Sequence, residues 1–236
     1  DTLKTVDDFA KVPRSTKAEV YAFIEQDLKE AIPNLPDSYT PDQAGRATSW
    51  AAKALLARTC MFEEKWADVK SITDEIIGSS PFGLYPNFYK MFRVEGENGI
   101  ESIFEVQNSS MDQGRYRCDY GFEQGPRNNF AHLQGWGFCV PSQKLINFFN
   151  GRNDAIREFA TVLPRGFRTP EGDSINATCP NPYYNFKVYT QLKYNDVDYA
   201  LDYNMRLIRY AEVLLMNAEA ALHVGDGVLD LVLNPQ

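Results

Sequence analysis

Residues 204–220 read Asn-Met-Arg-Leu-Ile-Arg-Tyr-Ala-Glu-Val-Leu-Leu-Met-Asn-Ala-Glu-Ala, and this stretch predicts one long, uninterrupted helix. Its apolar residues recur at helical spacing and form an unusually wide stripe. The residues of that stripe are Leu207, Ile208, Tyr210, Ala211, Leu214, Leu215, Ala218, Ala221 and Leu222. Asp202 or Asn204 is a candidate cap for the first turn, and Gly225 is expected to end the helix. Such a helix is expected to pack on most of its circumference, as in a bundle or an α-solenoid.

Two helices in the first third of the chain predict an αα-hairpin. The first is capped by Thr48 or Ser49 and carries alanines on the face that meets its neighbour, and the second begins at Trp66 and is closed by Gly78. Small residues at the crossing allow close approach, and the pair resembles one tetratricopeptide-type unit. A further helix is predicted over residues 17–31.

The middle of the chain has a different character. Residues 100–107, Ile-Glu-Ser-Ile-Phe-Glu-Val-Gln, are the best strand candidate. Residues 108–140 show no clear periodicity, and residues 164–204 are loop-rich with four prolines. We therefore predict a mainly α fold in which tetratricopeptide-like helical pairs carry a loop-rich, partly β insertion. The expected organisation is one domain over 1–236, with helical pairs in 1–80, a loop-rich ligand face in 81–203, and a closing helix with a truncated tail in 204–236.

Composition argues against several classes of function. The net charge is −8 without clustered basic residues, which disfavours nucleic-acid binding, and no apolar run approaches the roughly 18 residues of a membrane span. His132 and His223 are far apart and lack ligand spacing, so a zinc site is not expected. No cofactor is expected either. Residues 195–198, Asn-Asp-Val-Asp, hint at calcium ligation but lack the Gly and distal Glu of an EF-hand loop, and a solvated turn is the alternative. A disulfide between Cys118 and Cys139 stays open, because connectivity cannot be deduced from sequence.

Four motifs, taken together and in order, resemble the SusD/RagB family of Bacteroidetes outer-membrane nutrient-binding lipoproteins. They are Gly45-Arg46-Ala47-Thr48 with Ala54-Leu55-Leu56-Ala57-Arg58, Glu101-Ser102-Ile103-Phe104-Glu105-Val106-Gln107, Gly135-Trp136-Gly137-Phe138 with Pro141, and Arg209-Tyr210-Ala211-Glu212-Val213-Leu214-Leu215-Met216 with Ala218-Glu219-Ala220. The resemblance covers nearly the whole chain and implies a SusD-like α-superhelix. It also implies that the chain is the carboxyl-terminal portion of such a protein, a fragment without the lipidated cysteine.

The resemblance further implies a binding function and no enzymatic activity. A protein of this kind lies on the extracellular face of the outer membrane, held only by a lipid anchor. It captures an oligosaccharide and delivers it to a SusC-like TonB-dependent transporter. A peptide-binding, RagB-like member and a helical-repeat scaffold that binds proteins are alternatives, and a carbohydrate-active enzyme is a third.

The candidate ligand-binding residues lie in the loop-rich middle. An exposed aromatic ring offers a rigid apolar plate to the C–H face of a sugar, and nearby polar side chains can bond the hydroxyl groups. The aromatic candidates are Tyr116, Tyr120, Trp136 and Tyr183, and the polar candidates include Arg115, Asn128 and Asn129. The alternative is that these rings fill the core of an irregular region.

Two carboxylates on the long helix suggest an enzyme, but their spacing disfavours it. Glu212 and Glu219 lie about 10.5 Å apart along a helix axis, at 1.5 Å per residue. Glycosidases place their two carboxyl groups about 5–9.5 Å apart. We therefore expect structural roles, in which these glutamates pair with Arg46, Arg58 or Arg209 between helices.

Overall fold

The structure is a computed structural model that describes residue 5 and residues 13–108, 119–129, 134–194 and 203–225. The helices are α1 (Lys17–Ala31), α2 (Ser49–Phe62), α3 (Trp66–Ser79), α4 (Phe88–Met91), α5 (Asp119–Gln124), α6 (Gln143–Arg152), α7 (Ala155–Thr161) and α8 (Tyr210–Val224). The strands are β1 (Ser102–Val106), β2 (Val162–Pro164), β3 (Tyr183–Asn185) and β4 (Met205–Arg209). Short 3₁₀ turns occur at Ile32–Asn34, Pro41–Gln43, Val94–Gly96 and Leu192–Tyr194. The predicted mainly α class is confirmed.

The chain divides into two compact units. The helical unit comprises Asp1–Tyr39, Ala47–Ser80 and Glu212–Gln236, and the loop-rich unit comprises Thr40–Arg46 and Pro81–Ala211. The helical unit holds α1, α2, α3 and most of α8, while the loop-rich unit holds α4 to α7 and strands β1 to β4. Over the described residues, none of the helices has both the length and the apolar character that a membrane crossing requires.

The first helix, α1, begins with a capping box. Thr16 Oγ1 accepts a hydrogen bond from Glu19 N, and the Glu19 carboxylate accepts one from Thr16 N at 2.8 Å. These bonds satisfy donors that a helix start otherwise leaves unpaired, which explains why the sequence locates this helix correctly. Val20 and Phe23 on its apolar side are exposed, whereas Glu25 is its buried residue.

The predicted αα-hairpin is formed by α2 and α3. Thr48 caps α2, and its Oγ1 accepts a hydrogen bond from Ala51 N at 3.1 Å. Ala54 and Ala57 are fully buried on α2. The buried residues of α3 are Val69, Thr73 and Ile76. The small alanines on one helix let the β-branched side chains of the other approach closely, which favours dense packing between the two helices.

The helix predicted from Asn204 is wrong at its start, because Met205–Arg209 forms strand β4 and α8 begins at Tyr210. Strand β4 pairs antiparallel with β1, in a register that sets Arg206 opposite Glu105. This pairing gives the backbone of β1 a partner and brings a cation to a buried carboxylate. Those tertiary contacts outweigh the local helix propensity of the segment.

The exposed surface of α8 is also wider than its sequence predicts. Leu215 and Leu222 are 70% and 60% exposed, so the predicted packing on most of the circumference is wrong. The buried positions are Tyr210, Val213, Met216, Asn217, Ala220 and Ala221. Their spacing is that of an ordinary amphipathic stripe. Gly225 follows the helix with a φ of 73°, as expected of a residue that ends it.

Two small antiparallel sheets shape the loop-rich unit. The strand predicted over residues 100–107 is confirmed as β1, which pairs with β4, while β2 pairs with β3. The core next to β2 and β3 consists of Tyr89, Ala160, Leu163, Ile175, Cys179, Tyr184, Phe186 and Tyr189. The guanidinium group of Arg93 is buried against three aromatic rings of this core.

Candidate functional site

The Gly135-Trp136-Gly137-Phe138 motif lies against α5 and the turn that follows it. The N–H groups of Trp136 and Phe138 donate to the main-chain carbonyls of Phe122 and Glu123, at 3.2 and 2.9 Å. Two further main-chain bonds join Gly135 N to Pro126 O at 2.7 Å and Gly137 N to Gly125 O at 2.9 Å. The backbone that carries the two aromatic residues is therefore held in place by hydrogen bonds along its length.

Glycine is required at two positions of this motif. A Cβ atom on Gly135 would lie 2.2 Å from Phe122 O and 2.6 Å from Gly125 Cα, so a side chain there would collide with backbone. Gly137 has a φ of 69°, and a Cβ atom on it would lie 2.9 Å from Asn181 Nδ2. The glycines thus let the backbone pack closely against its neighbours, while Trp136 and Phe138, which alternate with them, stay exposed.

Trp136 and Phe138 form an exposed aromatic surface together with Phe122. The side chains of Trp136 and Phe138 are 56% and 53% exposed, and their ring centroids lie 6.1 Å apart at an interplanar angle of 35°. The Phe122 ring stands nearly perpendicular to Trp136, with centroids 6.5 Å apart. We call these three residues the aromatic platform. Because its backbone is already fixed, the platform needs little ordering to bind a flat apolar ligand.

Three of the predicted ligand residues are exposed in or near this part of the chain. Trp136 belongs to the platform, Tyr120 lies on α5 two residues before Phe122, and Asn128 follows α5 with a φ of 59°. Their role in binding stays a prediction. Phe138 is not among the ligand residues that the sequence predicts. The alternation of glycine and aromatic residues in the motif is the signal that could have identified Phe138.

The other predicted ligand residues are less accessible or lie elsewhere. Tyr183 is half-buried in β3, where it packs against a cluster of Ile146, Phe149 and Val162. Asn129 is wrong as a ligand contact, because it is fully buried and its amide bonds the main chain at Ser174 and Asn176. Arg115, Tyr116 and the candidate calcium turn at 195–198 lie outside the described residues.

A cavity of about 350 Å³ also opens in the loop-rich unit. It is lined by Phe92, Tyr120, Asn185, Lys187, Val188, Tyr203, Met205, Arg206, Leu207 and Arg209, so no described carboxylate lines it. Arg209 Nη1 donates to Glu101 Oε1 at 2.6 Å, and Arg206 Nε lies 3.2 Å from Glu105 Oε1. Lys187, in contrast, forms no ion pair with any described residue. We call this space the basic cavity.

The residues predicted to have structural roles are divided between the two units. In the helical unit, Arg58 Nε and Nη2 donate to the two carboxylate oxygens of Glu212, at 2.7 and 2.6 Å. Glu219 is exposed further along α8. Arg46 and Arg209 instead bond side chains of the loop-rich unit. The Glu212 carboxylate thus accepts a bidentate bond from an arginine, which leaves it poorly suited to act as an acid or a nucleophile.

The described part of the chain contains three free cysteines and no group of three candidate metal ligands. No three His, Cys, Asp or Glu side chains among those residues are grouped as a metal site requires. Cys139 is an exposed free thiol, and Cys118 lies outside the described residues. Burial raises the pKa of the Cys60 thiol to about 11, so this buried residue acts as a small apolar side chain.

Comparison with known proteins identifies similar families and structures. Residues 1–61 match a family described as starch-binding and associating with the outer membrane, and residues 166–233 match the SusD family. A SusD-like protein of Bacteroides ovatus is 28% identical over 118 residues, which are 45% of this chain and 21% of that protein.

The fold is also similar to solved structures. A laminarin-binding SusD-like protein superposes with a TM-score of 0.81 at 25% identity, covering 98% of this chain and 55% of that one. Surface glycan-binding protein A from Bacteroides thetaiotaomicron, solved in complex with laminarihexaose, has a TM-score of 0.75 at 22% identity and covers 94% of this chain and 55% of that one. The chain therefore spans about half the length of these solved chains, and its match spans about a fifth of the curated relative.

Proposed function

The chain belongs to the SusD/RagB family, and on this premise we propose that it binds oligosaccharides without chemically changing them. The observation that carries the proposal is the aromatic platform, where Trp136 and Phe138 are exposed on a hydrogen-bonded backbone. The C–H faces of sugar rings are flat and apolar, and they stack on exposed aromatic rings. Laminarihexaose is the ligand in one of the similar structures, which supports a glucan as the first ligand to try.

Polar side chains close to the platform suit the hydroxyl groups of a sugar. The Asn181 amide lies next to the backbone of Gly137, the residue between Trp136 and Phe138 in the sequence. Asn128 is exposed in the turn after α5. An amide both donates and accepts hydrogen bonds, as a hydroxyl group does, so these residues can orient a sugar that the rings hold.

Binding without catalysis is supported by the state of the carboxylates. Glu212 is held by Arg58, and the platform lies in the other unit of the chain. Hydrolysis of an oligosaccharide by the purified chain, abolished by Glu212→Gln with the fold intact, would instead establish the enzymatic alternative.

The proposed setting is the extracellular face of the outer membrane, with attachment through a lipid anchor. There the protein captures an oligosaccharide and delivers it to a SusC-like TonB-dependent transporter. The family description, starch-binding and associating with the outer membrane, supports this setting. A pull-down from native membranes tests it, and repeated recovery of the protein without any TonB-dependent transporter would contradict it.

The binding proposal is tested by calorimetry and affinity electrophoresis with laminarihexaose and a panel of neutral glycans. Removing one stacking ring by Trp136→Ala or Phe138→Ala is expected to weaken binding about tenfold or more, since a buried ring contributes about 1.5–3 kcal/mol. Phe148→Ala is the matched control, because Phe148 is an equally exposed phenylalanine on α6 of the same unit. The circular dichroism spectra of all variants should match that of the parent chain.

The outcome also separates the alternatives. Equal binding by the parent chain and both platform variants would exclude the platform as the site. Absence of binding to every glycan, with binding to a peptide panel that Trp136→Ala weakens, would replace the oligosaccharide with a peptide ligand.

A further inference from the structure

The basic cavity contains a positive charge that the described residues do not neutralise. Two of its three cations have partners, since Arg206 faces Glu105 and Arg209 bonds Glu101. Lys187 has none among those residues. The whole chain carries a net charge of −8, so a cavity lined by three cations is a local exception to the charge of the protein.

Lys187 lies close to a second positive charge. Its Nζ atom lies 4.9 Å from the centroid of the Phe92 ring and 5.6 Å from that of Phe88. The Arg209 guanidinium group lies 5.3 Å from the same Phe92 ring. Burial lowers the pKa of Lys187, and the positive charges of Arg209 and Arg157 lower it further. Aromatic rings compensate only part of the cost of holding a cation away from water.

An anion in this cavity would relieve that cost. It would pair with Lys187 and receive hydrogen bonds from the arginine side of the cavity, where guanidinium groups suit planar or tetrahedral oxyanions. The cavity also has aromatic walls at Tyr120 and Tyr203, and its volume of about 350 Å³ falls within the usual range of small-molecule sites. A charged group attached to a sugar ring satisfies both the cationic and the aromatic parts of the lining.

We propose that the basic cavity binds an anionic substituent of a sugar, either a uronate carboxylate or a sulfate ester. The proposal rests on the proposed function, because it names the class of oligosaccharide that the protein prefers. Helix α5 contributes to both places, since Tyr120 lines the cavity and Phe122 belongs to the platform. The platform then holds neutral rings of the ligand, and the cavity selects for an acidic one.

Matched pairs of ligands test the proposal on the whole chain by calorimetry. One pair is an oligogalacturonate and its methyl ester, and the other is a sulfated oligogalactan and its desulfated form. In at least one pair, the charged member is expected to bind at least about tenfold more tightly than the neutral member. A charge-assisted hydrogen bond contributes enough binding free energy for a difference of this size. That preference should shrink when salt rises from about 50 mM to about 500 mM, because added ions screen the contact.

Variants of Lys187 locate the effect. Lys187→Gln and Lys187→Met both remove the charge, and the second keeps the apolar stem that packs on the rings. Each should abolish the preference for the charged ligand and leave binding of the neutral one unchanged. Lys144→Gln is the control. Lys144 is exposed on α6, so this substitution removes the same charge elsewhere in the unit.

The two proposals fail in different ways. Binding of neutral glycans through the platform, with no preference for the charged member of either pair, would overturn the basic cavity and keep the proposed function. A preference that survives both Lys187 variants would also overturn it. Preference in the uronate pair alone identifies the carboxylate, and preference in the sulfate pair alone identifies the ester. If no oligosaccharide binds in either form, the proposed function and this inference both fail.

Discussion

The helical unit and the loop-rich unit satisfy their buried backbone groups in different ways. Helices α1, α2 and α3 bond their own N–H and C=O groups, and contacts between α2 and its neighbour use small side chains such as Ala54 and Ala57. In the loop-rich unit, buried side chains bond the main chain directly. Arg93 donates to the carbonyls of Phe186 and Tyr189, both at 2.6 Å.

Buried asparagines extend the pattern in the loop-rich unit. Asn204 accepts a hydrogen bond from Asn108 N through its side chain and donates to Glu105 and Gln107. Asn129 joins two main-chain groups in the same manner. A buried backbone group needs a hydrogen-bond partner. Where the backbone is neither helix nor strand, polar side chains provide that partner. We therefore expect the stability of the loop-rich unit to depend more strongly on single polar residues than that of the helical unit does.

The strongest test of this contrast is Arg93→Ala. The substitution leaves two buried carbonyls without a donor and removes a side chain packed on three rings, so we expect a loss of about 3–5 kcal/mol in the free energy of unfolding. Urea denaturation measures it. Arg152→Ala, which removes an exposed arginine that covers the Phe148 ring, should cost less than about 0.5 kcal/mol. Similar losses in the two variants would remove the contrast.

The second test compares two glycines of the loop-rich unit. Gly135→Ala forces a Cβ atom against backbone and should destabilise the unit by about 2–3 kcal/mol. It should also weaken glycan binding, because Trp136 is the next residue. Gly151→Ala, on helix α6, meets no atom within 4 Å and should raise stability by up to about 1 kcal/mol. Scanning calorimetry measures both effects, and a stabilised Gly135→Ala variant would show that the motif tolerates a side chain.

The third test uses pH in the helical unit. Hydrogen bonds from Lys29 and then Lys65 lower the pKa of the buried Glu25 carboxyl from 4.5 to about 2. The carboxylate form therefore stabilises the fold above pH 4.5, and this contribution is lost as the pH falls toward 2. We expect it to be about 1 kcal/mol, since solvent screens the half-exposed lysines.

Glu25→Gln should remove this acid-dependent part of the free energy of unfolding, as measured by urea denaturation between pH 2 and 7. Glu30→Gln is the control, because Glu30 is exposed on the same helix. A variant at Glu25 that keeps the full acid dependence of the parent chain would assign that dependence to other groups.

The smallest effect is expected at the ion pair between Arg58 and Glu212. Both side chains are about one third exposed, at 29% and 35%, so the coupling between them should be about 0.5–1 kcal/mol despite its bidentate geometry. A double-mutant cycle with Arg58→Gln and Glu212→Gln measures it. A coupling above about 2 kcal/mol would mean that the helical unit also depends on single polar contacts.

The positions of the helices could be predicted from the sequence because the signals that define them are local. The cap at Thr48, the apolar spacing after Trp66 and the position of Gly225 each act within a few residues of the element that they define. Strand β4 could not be predicted from the sequence. The local pattern of Met205–Arg209 predicts helix, and the segment forms a strand because it pairs with β1. The organisation into one domain with a truncated tail stays a prediction.

The candidate site divides in the same way. The Gly-Trp-Gly-Phe motif indicated Trp136, and its glycines explain how the rings come to be exposed. The sequence contains no comparable signal for the basic cavity. Lys187, Arg206 and Tyr120 are separated along the chain, and nothing in their local sequence shows that they line one space.

The sequence by itself determined the helix class, the hairpin and the family resemblance, because helical periodicity and capping depend on neighbours along the chain. Only the tertiary structure decided where α8 begins, which aromatic rings are exposed and which cations share a cavity. Those features depend on contacts between residues far apart in sequence, and such contacts outweigh local preferences whenever a buried group would otherwise lack a partner.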